Sequence, residues 1–306
     1  MTQSTNHQIN RYLISRRDRA RLTAGGVVGA TFARLGAARQ PDSRVVGVQI
    51  GVQSYSFRDR SLDDAIRGMV DAGIGSCELW QGHVEPSNLP EDDAKSRDAL
   101  RTWRLSVPLD YFRTVRKTFD RAGVALSAYN LSFNDSFTDA EIDRGFEMAK
   151  ALGVTVMTAS SNLTTVPRID RAAQRYGIPV GLHNHSHISP NEFATPDDFA
   201  TALSGRSTFI AINLDIGHFT AANFDALAFL RQHHARIVSL HIKDRKRDQG
   251  DYVPFGEGDA PIGVVLRTLR DEHWSIPANI EYEYKGSDTI GEVKRSFEYC
   301  KRMLAT

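Results

Sequence analysis

Four short motifs in the second half of the chain gather side chains that bind cations and move protons. They are His183-Asn184-His185, Asp215-Ile216-Gly217-His218, His241-Ile242-Lys243-Asp244 and Glu281-Tyr282-Glu283. Each closes an apolar run, so each set of polar groups emerges where a buried strand would end. A mixed set of imidazoles and carboxylates suits a borderline or hard divalent ion such as Mn, Zn, Co or Mg. Such an ion can hold two adjacent sugar oxygens and polarise a carbonyl. Neighbouring bases can then move a proton between carbons through an enediolate. Strand geometry adds an expectation, because side chains two residues apart share a face. If the first member of each pair faces inward, His183, His241 and Glu281 converge with Asp215.

The elements that must position these groups repeat along the chain. Short β-rich runs are predicted at Val48–Phe57, Ser76–Trp80, Ala125–Leu131, Val154–Ala159, Pro179–His183, Ile210–Leu214, Ile237–Ile242 and Asn279–Tyr284. Helical stretches lie between them, at 62–72, 110–122, 139–152, 168–176, 196–203, 224–233 and 262–271, with a closing helix at 289–303. Residues 81–109 read as a charged connection. Strand–helix alternation with near-continuous apolar strands implies a parallel sheet buried on both faces. Eight units in one domain-length chain favour an α/β fold, a closed (β/α)8 TIM barrel over residues 45–306, with function at the C-terminal strand ends. No Gly-x-Gly-x-x-Gly follows the first strand, which argues against a dinucleotide fold.

Composition narrows the function classes. The chain has 306 residues, 25% charged, with a formal net charge of +1. No basic surplus points to a nucleic-acid or membrane-surface partner. A domain of this size needs no disulfide, and Cys77 and Cys300 read as core residues. Residues 1–40 differ from the rest. Ser15-Arg16-Arg17 and further basic residues precede an apolar Gly/Ala-rich stretch, Leu22 to Ala38, ending in Gly36-Ala37-Ala38. That order is the grammar of an export signal, here twin-arginine-like, and implies a periplasmic or exported protein. A disordered basic leader on a cytoplasmic protein is the alternative.

At the motif residues a resemblance becomes specific. Cys77-Glu78-Leu79-Trp80, His183-Asn184-His185, Leu214-Asp215-Ile216-Gly217-His218, His241-Ile242-Lys243-Asp244, Phe255-Gly256-Glu257-Gly258 and Ile280-Glu281-Tyr282-Glu283 occur in order. Together they resemble the xylose-isomerase-like sugar phosphate isomerase/epimerase family, a barrel superfamily shared with tagatose/psicose epimerases, inosose dehydratase and endonuclease IV. The resemblance implies metal ligands at Asp215, His241 and Glu281, with His218 on a substrate hydroxyl. It also implies a divalent metal cofactor and a small carbohydrate substrate. The family's epimerases usually carry a glutamate at the end of strand five; here that position is His183, read as a fourth ligand. One of two symmetric carboxylates is therefore missing, and Glu78 is the expected replacement base. Lys243 is read as catalytic, neutralising a developing enolate, or else as a partner of Asp244. His185 and Trp80 are read as substrate contacts, Trp80 stacking on an apolar ring face.

The leading expectation is a metal-dependent isomerase or epimerase, with Glu281 as ligand and proton carrier. The missing carboxylate keeps a lyase or dehydratase acting on a 3-keto sugar or 3-keto glycoside as the alternative. A nuclease of the endonuclease IV kind would need more ligands and a basic face. A non-catalytic sugar-binding barrel is the fourth reading. A homo-oligomer is compatible with all of them.

Overall fold

The computed structural model of the protein describes residues 41–90, 93–286 and 288–306. The expected leader, residues 1–40, lies outside them. Eight parallel strands form the wall: β1 (Val48–Gln53), β2 (Ser76–Trp80), β3 (Ala125–Asn130), β4 (Met157–Ala159), β5 (Val180–His183), β6 (Ile210–Asp215), β7 (Ile237–Ile242) and β8 (Ala278–Ile280). Each pairs with its neighbours in sequence, and β8 pairs with β1, so the barrel closes as expected from the alternating pattern. Closure leaves no exposed parallel edge.

Among the described residues, ten helices surround the strands: α1 (Leu62–Asp71), α2 (Asp93–Ser106), α3 (Leu109–Ala122), α4 (Asp139–Leu152), α5 (Val166–Tyr176), α6 (Pro196–Leu203), α7 (Ile216–Ala221), α8 (Ala226–His233), α9 (Ile262–Asp271) and α10 (Thr289–Ala305). Their ends follow local chemistry. Thr138 and Glu141 form a reciprocal capping box at the start of α4. Gly153 ends the same helix at φ 70°, in the left-handed region.

Two helices depart from the sequence expectation. The segment read as a charged connection contains α2, whose one buried side chain is Arg104. Without an apolar stripe, periodicity carries no helical signal. Helix α7 begins directly at Asp215, whose carboxylate caps it by accepting from His218 N. Three strands are also markedly shorter than expected. The first gives way at Ser54–Phe57 to a 3-10 turn, the fourth begins only at Met157, and the eighth ends at Ile280, so Glu281 and Glu283 lie on irregular backbone.

Register places the site. Asp215 on β6 lies beside His241 on β7, and His241 beside Asn279 on β8. The β2–β3 register shifts between Cys77 and Glu78, and the β6–β7 register between Ile212 and Asn213. Such irregularities re-aim side chains locally.

Between wall and helices lies an aromatic core. Phe146 of α4 is fully buried, stacked between Phe133 at 5.8 Å and Tyr176 at 5.3 Å. Cys77 and Cys300 are free and buried. Phe146→Ala should lower the free energy of unfolding by ~3–5 kcal/mol. Urea unfolding followed by circular dichroism checks this, with the denaturant slope unchanged.

Candidate active site

The site is built on a buried carboxylate beneath the mouth. Glu78 on β2 is fully buried and accepts five hydrogen bonds. On Oε1 the donors are Thr158 Oγ1 (2.7 Å), His241 Nε2 (2.8 Å) and Gln53 Nε2 (3.0 Å). On Oε2 they are Asn279 Nδ2 (3.1 Å) and Ser239 Oγ (3.2 Å). The carboxylate thus ties β1, β2, β4, β7 and β8 together. Glu78, expected from the sequence as a base, does not border the cavity, and neutral or cationic donors occupy both its oxygens.

Above Glu78, one ligand atom each from His183, Asp215, His241 and Glu281 lies within 4.8 Å of the others, all four residues buried. Each of the four carries a buried polar atom with no hydrogen-bond partner: His183 Nδ1, Asp215 Oδ2, His241 Nδ1 and Glu281 Oε2. Four such atoms in one place are unusual, because buried polar groups are nearly always satisfied. His241 Nδ1 lies 3.0 Å from Glu281 Oε2, out of line for a hydrogen bond. The His183 ring packs at 4.7 Å from that of His241.

Each donor is held from behind. Glu78 takes the Nε2–H of His241, which turns Nδ1 toward the other three groups. Asn184, the middle residue of His-Asn-His, faces away from its neighbours and clamps the Asp215 backbone. Asp215 N donates to Asn184 Oδ1 (2.9 Å), and Asn184 Nδ2 donates to Asp215 O (3.1 Å). Asp215 Oδ1 accepts from His218 N at 2.7 Å, leaving Oδ2 for the cluster.

Lys243 projects into the same cluster. Its ammonium lies 2.8 Å from Glu281 Oε2 and 3.0 Å from Asp215 Oδ2, and it pairs with Glu283. It does not pair with Asp244, whose carboxylate accepts from the backbone of Gly256, Gly258 and Ala260 and so pins the following loop. Glu257 in that loop is an exposed turn residue.

Burial sets the charge states. Burial pushes the Asp215 carboxyl up to about 6, with the Lys243 ammonium opposing. Burial disfavours charge on Lys243, but Asp215, Glu281 and Glu283 outweigh it and hold its pKa well above the usual range. For His241 the Glu78 and Glu281 carboxylates likewise outweigh burial, and the pKa rises. Burial first, then Lys243, holds His218 well below its usual value. Four carboxylates, Glu78, Asp215, Glu281 and Glu283, thus face two cations, Lys243 and His241.

His218 lies between two cationic donors. Arg245 Nη1 lies 3.0 Å from His218 Nδ1 and Lys243 Nζ 3.1 Å from Nε2. A guanidinium and an ammonium can only donate, which agrees with a ring held neutral. The two contacts fix the orientation of the ring where it lines the cavity.

The cavity above the cluster has a volume of about 230 Å³. His183, His218, His241, Lys243, Glu281 and Glu283 form one side; Trp80, Tyr55 and Gln53 form the other, with His185 and Tyr252 at the rim. Trp80 meets Tyr55 edge to face at 5.0 Å. A side chain at Gly82 would enter the Trp80 ring, with a Cβ only 2.2 Å from it. His185, exposed, packs at 5.1 Å from the His183 ring. Sequence reasoning missed Gln53, Tyr55, Asn184, Arg245, Tyr252 and Glu283 as site residues. Glu283 alone carried a signal, two residues beyond Glu281.

The xylose isomerase-like TIM barrel model matches residues 66–303. L-Ribulose-5-phosphate 3-epimerase UlaE of Escherichia coli is 30% identical over 92 residues, which are 30% of this chain and 32% of that protein. The match thus spans about a third of that relative. A sugar phosphate isomerase/epimerase from Parabacteroides distasonis superposes with a TM-score of 0.58 at 20% identity, over 83% of this chain and 95% of that one. The IOLI protein, solved with a bound zinc atom, gives 0.63 at 14% identity, over 84% and 98%. Both solved structures share the fold.

Glu78→Gln should destabilise chelator-treated protein by about 3–5 kcal/mol, because it strands a buried histidinium and its donors. The raised His241 pKa stabilises the native state fully below the ordinary value near 6.5, and that contribution fades as pH rises through the raised value. In the variant this pH dependence should shrink. Urea midpoints across pH, with NMR titration of His241, check both.

Proposed function

The chain belongs to the xylose isomerase-like TIM barrel family, and from that premise we propose that it is a divalent-metal-dependent isomerase or epimerase of a sugar or keto-sugar. One observation carries the reading: buried nitrogen and oxygen atoms on His183, Asp215, His241 and Glu281, none of them in a hydrogen bond, drawn together at four successive strand ends. The donor set, two imidazoles and two carboxylates, fits Mn, Zn, Co or Mg. The excess of buried carboxylates over cations favours a dication in the same place. Glu78 behind His241 supplies the carboxylate–histidine support that orients metal-binding imidazoles.

The ion, when bound, supplies a grip on adjacent oxygens and polarisation of a carbonyl. The chain's own residues do the rest. Trp80 and Tyr55 offer aromatic surface to the apolar face of a sugar ring. His218, its ring oriented by Arg245 and Lys243, contacts a substrate oxygen. Lys243 places a fixed positive charge where an enediolate oxygen develops negative charge. Glu281 and Glu283 are the carboxylates bordering the cavity, and they take up and return the proton that moves between carbons. His185 at the rim contacts the substrate's outer hydroxyls.

His183 in place of a strand-five carboxylate leaves the two faces of the substrate unequal. That asymmetry supports a second reading, elimination from a 3-keto sugar or 3-keto glycoside. In deuterated water, exchange at C2 or C3 of a ketose without loss of a leaving group marks isomerisation. Release of water or an aglycone from a 3-keto-glucoside marks elimination.

Purified protein should carry one divalent ion per chain by elemental analysis, and Asp215→Asn and His241→Ala should lose it. Ion retained in both variants ends this reading. Protons compete for both His241 and Asp215, so metal affinity should fall as pH drops through the raised His241 value and fall further below about 6, where Asp215 protonates, checked by metal titration from alkaline to acidic pH. Glu281→Gln should lower turnover by roughly 10²–10⁴-fold with the fold intact by circular dichroism. An unchanged rate removes Glu281 from the mechanism.

A further inference from the structure

A second cavity, about 200 Å³, opens beside the first and shares Ser132 with it. Its walls come from α2 and the loops after β2 and β3. Its polar groups form an unequal inventory. Arg101 donates to Asp98, Glu141 and Ser136 O, and Arg104 donates to both oxygens of Glu85 and to Glu141. A guanidinium carries five N–H groups, so each retains two. Arg97 has no acceptor among the described residues. Asn134 spends its carbonyl on Ser136 N and Oγ, leaving its NH2 group without a partner.

The acceptors are used up. The Glu141 oxygens accept from Arg101, Arg104, Thr138 N and Thr138 Oγ1. Gln81 Oε1 accepts from Ser132 N at 2.7 Å. Donors without acceptors, three of them guanidinium groups, match an oxyanion, for which planar bidentate recognition is strongest. Arg104 cannot swing away to find solvent, because its side chain is only 7% exposed and locked by two carboxylates.

We propose that this α2 cavity is an oxyanion subsite, which holds a carboxylate or phosphate substituent of the sugar whose reacting carbons lie in the first cavity. This rests on the sugar reading of the first cavity; the oxyanion chemistry itself rests on the donor inventory. Arg97 is the outer donor that the anion recruits.

The test is binding to the full chain by calorimetry and saturation-transfer NMR, with D-glucose, D-glucuronate, D-glucose 6-phosphate and inorganic phosphate as probes. Arg97 is exposed and makes no contact in the ion network, so Arg97→Glu and Arg97→Lys should fold normally. The wild type should bind glucuronate or glucose 6-phosphate roughly ten-fold or more tightly than glucose. Whichever binds tighter identifies the anion. Arg97→Glu should abolish that preference, and Arg97→Lys should keep part of it. Equal binding of charged and neutral sugars overturns the subsite, as does a preference that survives Arg97→Glu. If phosphate binds in an Arg97-dependent way and no sugar binds, the subsite stands and the sugar reading falls. If glucose binds and neither anion gains, the reverse holds.

Discussion

A fully buried carboxylate under the mouth of the barrel is the constraint from which the site follows. Glu78 cannot remain ionised there without donors, because burying an uncompensated charge is expensive. Its five donors come from four other strands, so satisfying one charge aligns five strand ends. Among those donors is the Nε2–H of His241. Meeting the need of Glu78 therefore also decides which nitrogen of His241 faces the cavity. The stability of the barrel's centre and the geometry of the site are one interaction.

Above that layer the logic reverses. Below, both oxygens of Glu78 are paired; above, four converging residues each keep one atom without a hydrogen bond. Lys243 sits within the upper layer and pairs with Asp215, Glu281 and Glu283. It moderates a site that would otherwise hold four carboxylates against one histidinium.

Around this core the barrel's connections set the reach of the site. The β2–α3 connection holds the extra helix α2, whose inner face is ionic rather than apolar. That helix gives the mouth a second, donor-rich cavity beside the first. The loop after β7 carries Arg245 and Tyr252 to the rim and is held by Asp244 through three backbone N–H groups. Rigid strands thus present the reacting groups, while long connections shape what can reach them.

The barrel and its four polar clusters were legible in the amino-acid order, because strand and helix periods, helix stops and apolar runs are local signals. His183, Asp215, His241 and Glu281 could be named from strand-end position alone, since the ends of parallel strands in a closed barrel gather at one face. The order of residues could not place Glu78 beneath the site rather than in it. That depended on a register shift beside Cys77 and on donors up to 201 residues away. Nor could it find Arg245, Asn184 or the cavity beside α2. Their roles come from hydrogen bonds between connections distant in sequence, with no period or spacing to announce them. Local sequence determined which side chains stand at the mouth; only the closed sheet decided which of them face each other, which are satisfied, and which are left to bind.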